Sequence, residues 1–173
     1  MRWMWIDAII GFEPEKRLVA VKNVSLSEDH IHDHFPATNE TSALPLMPNS
    51  LIVEGMAQTA GILVGSVNGF REKVVLAKIT RAVIERDVVP GRTIRYDASL
   101  ERIDAAGAAT TGTIEMCDHA TSEWTRIGQI ELVFSHIDNN MAGMEFPEHN
   151  FVFSENFRTI LKSAGLDSLW TQA

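Results

Sequence analysis

Pro48-Asn49-Ser50-Leu51-Ile52-Val53-Glu54-Gly55-Met56-Ala57-Gln58-Thr59-Ala60-Gly61-Ile62-Leu63-Val64 is the stretch that decides the fold. Asn49 or Ser50 can cap a helix here, and Leu51 to Val64 suit its body. The run is apolar almost all round, and such a helix is buried on every side. Glu54 and Gln58 are its only strongly polar side chains. They stand four residues apart and so share a face. A membrane span of ~20 apolar residues is not available, because these two interrupt the run.

Downstream of Ser66-Val67-Asn68-Gly69 the pattern becomes strand-like. Strands are expected over Val74 to Glu85, Thr93 to Ile103, Ala108 to Cys117 and Glu123 to Ser135. Val89-Pro90-Gly91, Asp104-Ala105-Ala106-Gly107 and Asp118-His119-Ala120-Thr121 are the turns between them. Long consecutive strands joined by short turns imply an antiparallel sheet. Upstream, Leu18 to Leu26 reads as a strand after a turn at Glu13-Pro14-Glu15-Lys16. Arg2 to Gly11 reads as a short helix or a strand. About five long strands and one apolar helix pack most simply as a curved antiparallel sheet around the helix. This is an α+β, hot-dog-like arrangement. Its open edge makes dimerisation, or an oligomer of dimers, the expectation.

The first 137 residues form this expected domain, and residues 138–173 form a C-terminal extension. Ser154 can cap a short helix there, with Phe157, Ile160, Leu161 and Ala164 on one face and Gly165 as its stop. The aromatic residues Phe146, Phe151, Phe153, Phe157 and Trp170 indicate that the extension packs onto something. A cover over the core or the dimer partner is the favoured reading, and a lid over a lipid-like pocket is the alternative.

The chain of 173 residues is 45% hydrophobic and 22% charged, an ordinary globular balance. Its net charge of −8 argues against general nucleic-acid binding. Residues 71–102 nonetheless hold eight basic and five acidic side chains. These are either solvated strand faces or a local patch for an acidic partner. One cysteine, Cys117, excludes an internal disulfide and is read as a half-buried strand residue. His119 lies in a turn and is poorly placed to activate it. The N-terminus is not a secretory signal, since Asp7 cuts its short apolar run, and a cytoplasmic location follows by default.

Two features could carry chemistry. Glu54 stands in an otherwise apolar run, where a carboxylate is costly unless it is paired or neutralised. It is either a general acid or a buried polar plug bonded to Gln58. The other feature is His30-Ile31-His32-Asp33-His34-Phe35-Pro36, between Ser27 and Asn49. Alternating histidines can bind metal from a strand, but Pro36 and the acidic neighbours favour an irregular loop. His30 and His32 are expected to be exposed loop histidines.

These residues form an ordered set. His34-Phe35-Pro36, Leu46-Met47-Pro48 and Leu51-Ile52-Val53-Glu54-Gly55-Met56-Ala57-Gln58 resemble the bacterial 3-hydroxyacyl-acyl-carrier-protein dehydratases of fatty-acid synthesis. That family reads His-Phe-Pro-Gly, Met-Pro-Gly and Leu-x-x-Glu-x-x-x-Gln. Arg17 to Ser25 resembles its first strand, and Val88-Val89-Pro90-Gly91 its Val-x-Pro-Gly turn. The resemblance covers roughly residues 3–137. It implies a hot-dog dimer whose site joins a histidine and a glutamate from opposite subunits. His34 would remove the C2 proton of a 3-hydroxyacyl thioester, and Glu54 would protonate the departing hydroxyl. Gln58 would orient Glu54. The amide of Asn49 would polarise the thioester carbonyl, with Phe35 and Pro48 also against the substrate. No metal or organic cofactor is implied. Acyl carrier protein is the implied partner, docking on arginines such as Arg81, Arg86, Arg92 and Arg95. Ala37 and Asn49 stand where the family has glycine, the loop is about six residues longer through Thr38 to Ala43, and the family's basic and aromatic segment before the first strand is mostly absent. A hot-dog thioesterase using Glu54 to activate water, and a non-catalytic acyl-binding subunit, are the alternatives.

Overall fold

Alternation of apolar and polar residues shapes the sheet. In the computed structural model, which describes residues 3–32, 36–137, 147 and 150–170, Arg92–Asp104 (β4), Gly107–Asp118 (β5) and Glu123–His136 (β6) form a long antiparallel meander. Ile94, Tyr96 and Ala98 of β4 are fully buried and alternate with more exposed residues. Ala108 and Ile114 of β5, and Ile130, Leu132 and Phe134 of β6, continue the same layer. A strand's side chains alternate between faces, so one face of the meander is apolar.

Ala8–Glu13 (β1) and Arg17–Val24 (β2) pair as a hairpin, and β2 pairs with β4. Glu15 takes a positive φ of 60° in the turn between them. Val74–Ile84 (β3) closes the other side against β6, so the six strands run in the order β1-β2-β4-β5-β6-β3. The strand count exceeds the expected five because the ambiguous N-terminal segment resolves as β1. The four downstream strands fall within two residues of their expected bounds.

The sheet curls around Asn49–Val67 (α2) in a hot-dog fold. Gly55 to Gly65 are buried continuously, but Asn49 and Ser50 are exposed and Leu51, Val53 and Glu54 are half-buried. The expectation of burial on every side thus holds for the second half of the helix only. By length and composition α2 could also span a membrane, yet 67% of its apolar window lies buried within the protein. The helix begins one residue earlier than expected: Pro48 is the cap, and no side chain bonds the first turn. The Pro48 carbonyl accepts from the amides of Leu51 (2.9 Å) and Ile52 (3.2 Å).

Asp29–His32 (α1) is a single helical turn where an irregular loop was expected. Asp29 supplies the acidic residue that favours a helix start. His30 is half-buried, its ring 4.7 Å from that of Trp5, and is not an exposed loop histidine. Cys117 is buried in β5 rather than half-buried, and His119 bonds the hydroxyl of Thr93 (2.8 Å).

The C-terminal helix Glu155–Ser163 (α3) begins after Ser154, whose side chain makes no capping bond, and stops before Gly165 as expected. Gly165 has φ 73°. Its amide bonds the Lys162 carbonyl (3.0 Å), and the Leu166 amide bonds that of Leu161 (2.9 Å), which satisfies the last orphan carbonyls.

Candidate active site

The polar pair of α2 lies where the helix leaves the shelter of the sheet. Gln58, 6% exposed, is the better buried of the two. Its Nε2 donates to Glu54 Oε1 (3.0 Å) and to the Trp3 carbonyl (3.2 Å), and its Oε1 accepts the Trp5 amide (2.8 Å). The Trp3 indole Nε1 donates to the same Glu54 Oε1 (3.1 Å). Two N–H donors therefore converge on one carboxylate oxygen. Among the described residues no donor falls on Oε2. If Glu54 binds a proton, the two donors hold Oε1 as the carbonyl-type acceptor and direct the proton to Oε2.

This arrangement combines the two sequence readings of Glu54. The carboxylate is bonded to Gln58, but it is half-buried at the rim of a cavity of about 270 Å³. Trp3, Glu54 and Gln58 form the polar end of the cavity, and Ala57, Gly61, Val74 and Phe134 continue its wall. Trp3 was not legible as a site residue, because it reaches Glu54 from 51 residues away. Ahead of the first strand, Trp3 and Trp5 pack edge to face with ring centroids 5.3 Å apart.

At the helix start, the amides of Asn49 and Ser50 precede the first intrahelical bonds and point out of its N-terminal end. Pro48 is half-buried and sets the entry angle. Met47 ties the preceding loop down by donating to the Val88 carbonyl (2.8 Å), beside the Val88-Val89-Pro90-Gly91 turn. The longer loop is exposed and closes on itself: the Thr38 amide donates to the Thr41 carbonyl (2.9 Å), and the Thr38 hydroxyl accepts the amides of Glu40 and Thr41. Among the described residues positive φ outside glycine is confined to Glu15, Phe70 and Ser122, so Ala37 does without the left-handed conformation a glycine would allow. His34 and Phe35 lie outside the described residues.

The four arginines differ. Arg92 pairs with Asp118, and Arg95 grips Glu115 Oε2 through Nε (2.7 Å) and a terminal nitrogen (2.6 Å) while lying 4.2 Å over the Trp124 ring. Arg81 is 3.9 Å from Glu131 and well exposed, and Arg86 is exposed in the loop after β3. Asp118 is held below the usual carboxylate range, first by the Ala120 amide and then by Arg92. Behind α2, burial, aided by Asp7, pushes the Tyr96 phenol far above its ordinary range, so it stays neutral against Gly55. Among the described residues no group of three metal-ligating side chains comes together.

Comparison with known proteins places this geometry in context. A family model described as a FabA-like domain matches residues 2–120. The 3-hydroxyacyl-[acyl-carrier-protein] dehydratase FabZ of Clostridium kluyveri is 30% identical over 139 residues, 80% of this chain and 88% of that protein. The protein of the same name from Neisseria meningitidis is 38% identical over 101 residues, 57% of this chain and 64% of that protein. Among solved structures, the dehydratase heterocomplex ApeI:P of Xenorhabdus doucetiae aligns with a TM-score of 0.58 at 14% identity, over 78% of this chain and 83% of that one. An acyl-CoA hydrolase of Staphylococcus aureus aligns with a TM-score of 0.51 at 13% identity, over 88% and 84%. At these identities the structural matches speak for the fold alone.

Proposed function

Because the chain belongs to the FabA-like family, we propose that it dehydrates 3-hydroxyacyl-[acyl-carrier-protein] to the trans-2-enoyl thioester in fatty-acid synthesis. The observation that carries the reading is Glu54 at the edge of an apolar cavity, with Oε1 engaged by Trp3 and Gln58 and Oε2 met by no donor among the described residues. The thioester acidifies the C2 proton, which His34 removes as general base. The C2–H electron pair becomes the new double bond, the C3–O bond breaks, and Glu54 gives its proton to the departing hydroxyl. Atoms balance with water as the second product. The amides at the start of α2 polarise the thioester carbonyl, and the substrate lies along Phe35 and Pro48.

We place the site at a dimer interface, with His34 and Glu54 from opposite subunits. Support comes from β3, whose outer edge pairs with no strand among the described residues. Leu76, Ile79 and Val83 on it are 38%, 46% and 37% exposed. An apolar edge strand of this length is unfavourable alone and is satisfied by a second copy across a two-fold axis. The acidic carrier protein would dock chiefly on Arg81 and Arg86, since Arg92 and Arg95 already hold carboxylates. Reversing both charges (Arg81→Glu with Arg86→Glu) raises KM for carrier-bound substrate and leaves KM for a pantetheine thioester alone. An equal KM for the carrier-bound substrate contradicts the docking assignment.

A thioesterase would use Glu54 to activate water on the same fold. Incubating the protein with a 3-hydroxyacyl thioester separates the readings. Enoyl product supports dehydration, free thiol supports hydrolysis, and recovery of intact thioester supports an acyl-binding subunit.

A further inference from the structure

The chain beyond β6 has no part in this chemistry, yet it supplies a wall of the cavity that opens at Glu54. Asn150, 8% exposed, is the staple. Its Nδ2 donates to the carbonyls of Phe70 (2.9 Å) and Glu72 (2.8 Å), and its Oδ1 accepts the amides of Val152 (3.0 Å) and Phe153 (3.4 Å). The extension is thereby tied to the connection between α2 and β3. Phe153 packs edge-on against Phe70, with ring centroids 5.0 Å apart, and Trp170 stacks on Phe70 at 4.9 Å. Phe157 meets Phe153 at 5.7 Å, and Leu161 of α3 is fully buried.

The helix is shaped to receive this cluster. A Cβ on Gly65 would lie 2.6 Å from the Phe153 ring, so only glycine allows the ring so close. Val152, Phe153 and Phe157 line the cavity together with Gly61, while Glu54 and Gln58 line its other end. Glu54 and Gly61 are two turns apart, which sets them about 10 Å apart along the axis. The cavity thus has a polar end where the thioester reacts and an uncharged aromatic end contributed by the extension. An alkyl chain fits the second end, where a charged or hydrogen-bonding group would find no partner.

We propose that Val152, Phe153 and Phe157 form the end wall of the acyl pocket and restrict the enzyme to short acyl chains. The identity of the thioester rests on the dehydratase reading; the wall does not. The test compares the full-length protein with Phe157→Ala, on a half-buried ring, and with Phe153→Leu, which shortens the buried ring without emptying the core. Circular dichroism confirms folding. The substrates are 3-hydroxybutyryl and 3-hydroxydecanoyl pantetheine thioesters. The wild type favours 3-hydroxybutyryl in kcat/KM. In the variants the ratio of 3-hydroxydecanoyl to 3-hydroxybutyryl kcat/KM rises by about tenfold, within the range that a few methylenes in an apolar pocket produce. A wild type that already prefers 3-hydroxydecanoyl, or a ratio unmoved in both folded variants, overturns the proposal. If the wild type forms no enoyl product from either substrate, the dehydratase reading fails by itself. Calorimetric binding of butyryl and decanoyl pantetheine then decides the wall: tighter decanoyl binding in the variants supports it, and no change refutes it.

Discussion

The two halves of α2 differ in what surrounds them, and the difference separates chemistry from packing. From Asn49 to Glu54 every residue but the buried Ile52 is exposed or half-buried, and Glu54 lines the cavity. From Gly55 to Gly65 it is enclosed by the sheet and the C-terminal extension. Three glycines mark the enclosed half, and they meet different neighbours. A Cβ on Gly55 would lie 2.4 Å from Cζ and the hydroxyl of Tyr96, and one on Gly65 would strike Phe153. A Cβ on Gly61 would meet Phe134 at 3.7 Å, an ordinary contact. Glycine is thus required by close approach at two positions and costs helix stability at the third.

Substitutions sharpen that contrast. Gly55→Ala should be the most damaging, because Tyr96 is fully buried and its ring has nowhere to retreat. Overpacking of this kind costs roughly 1–3 kcal/mol, against a helical gain of about 0.5–1 kcal/mol for alanine over glycine. Urea denaturation should show a net loss of stability, and a variant as stable as the wild type would mean that the helix and β4 are not so closely apposed. Gly61→Ala should have the smaller effect and the opposite sign. A gain of about 0.5–1 kcal/mol is expected from helix propensity alone, and a loss would show that the space beside Phe134 is already filled.

Much of this organisation was legible in the sequence. The meander β4-β5-β6 follows from period-two burial and turn residues such as Gly107 and Asp118, which act locally. The core helix follows from its apolar run, and Glu54 from the cost of a carboxylate within it. The remainder depended on distant contacts. Nothing local to Trp3 says that its indole reaches Glu54. The aromatic residues of the extension called for a packing partner, but not for Phe70 or the wall of a cavity, because Phe153, Phe157 and Trp170 follow no single period. The extension packs over the core, where Phe153 and Leu161 join the buried cluster, and Phe153 lines the cavity as well. Arg2 to Gly11 was ambiguous because the short edge strand that starts at Ala8 carries little alternation. His34 is known from resemblance alone, since His30 and His32 look the same to a reader of the residues.

That histidine therefore determines the most direct test. If each site joins His34 of one subunit to Glu54 of the other, His34→Ala and Glu54→Gln homodimers are each inactive. A general acid or base contributes typically 10²–10⁴-fold, so roughly that loss in kcat is expected of each. In a mixed dimer one site collects both substitutions and the other is intact. Co-expressing the two variants with different affinity tags, purifying the mixed dimer and measuring formation of the trans-2-enoyl thioester should return part of the wild-type activity. A mixed dimer as inactive as its parents would contradict the shared site, and activity in either parent would contradict the assigned pair.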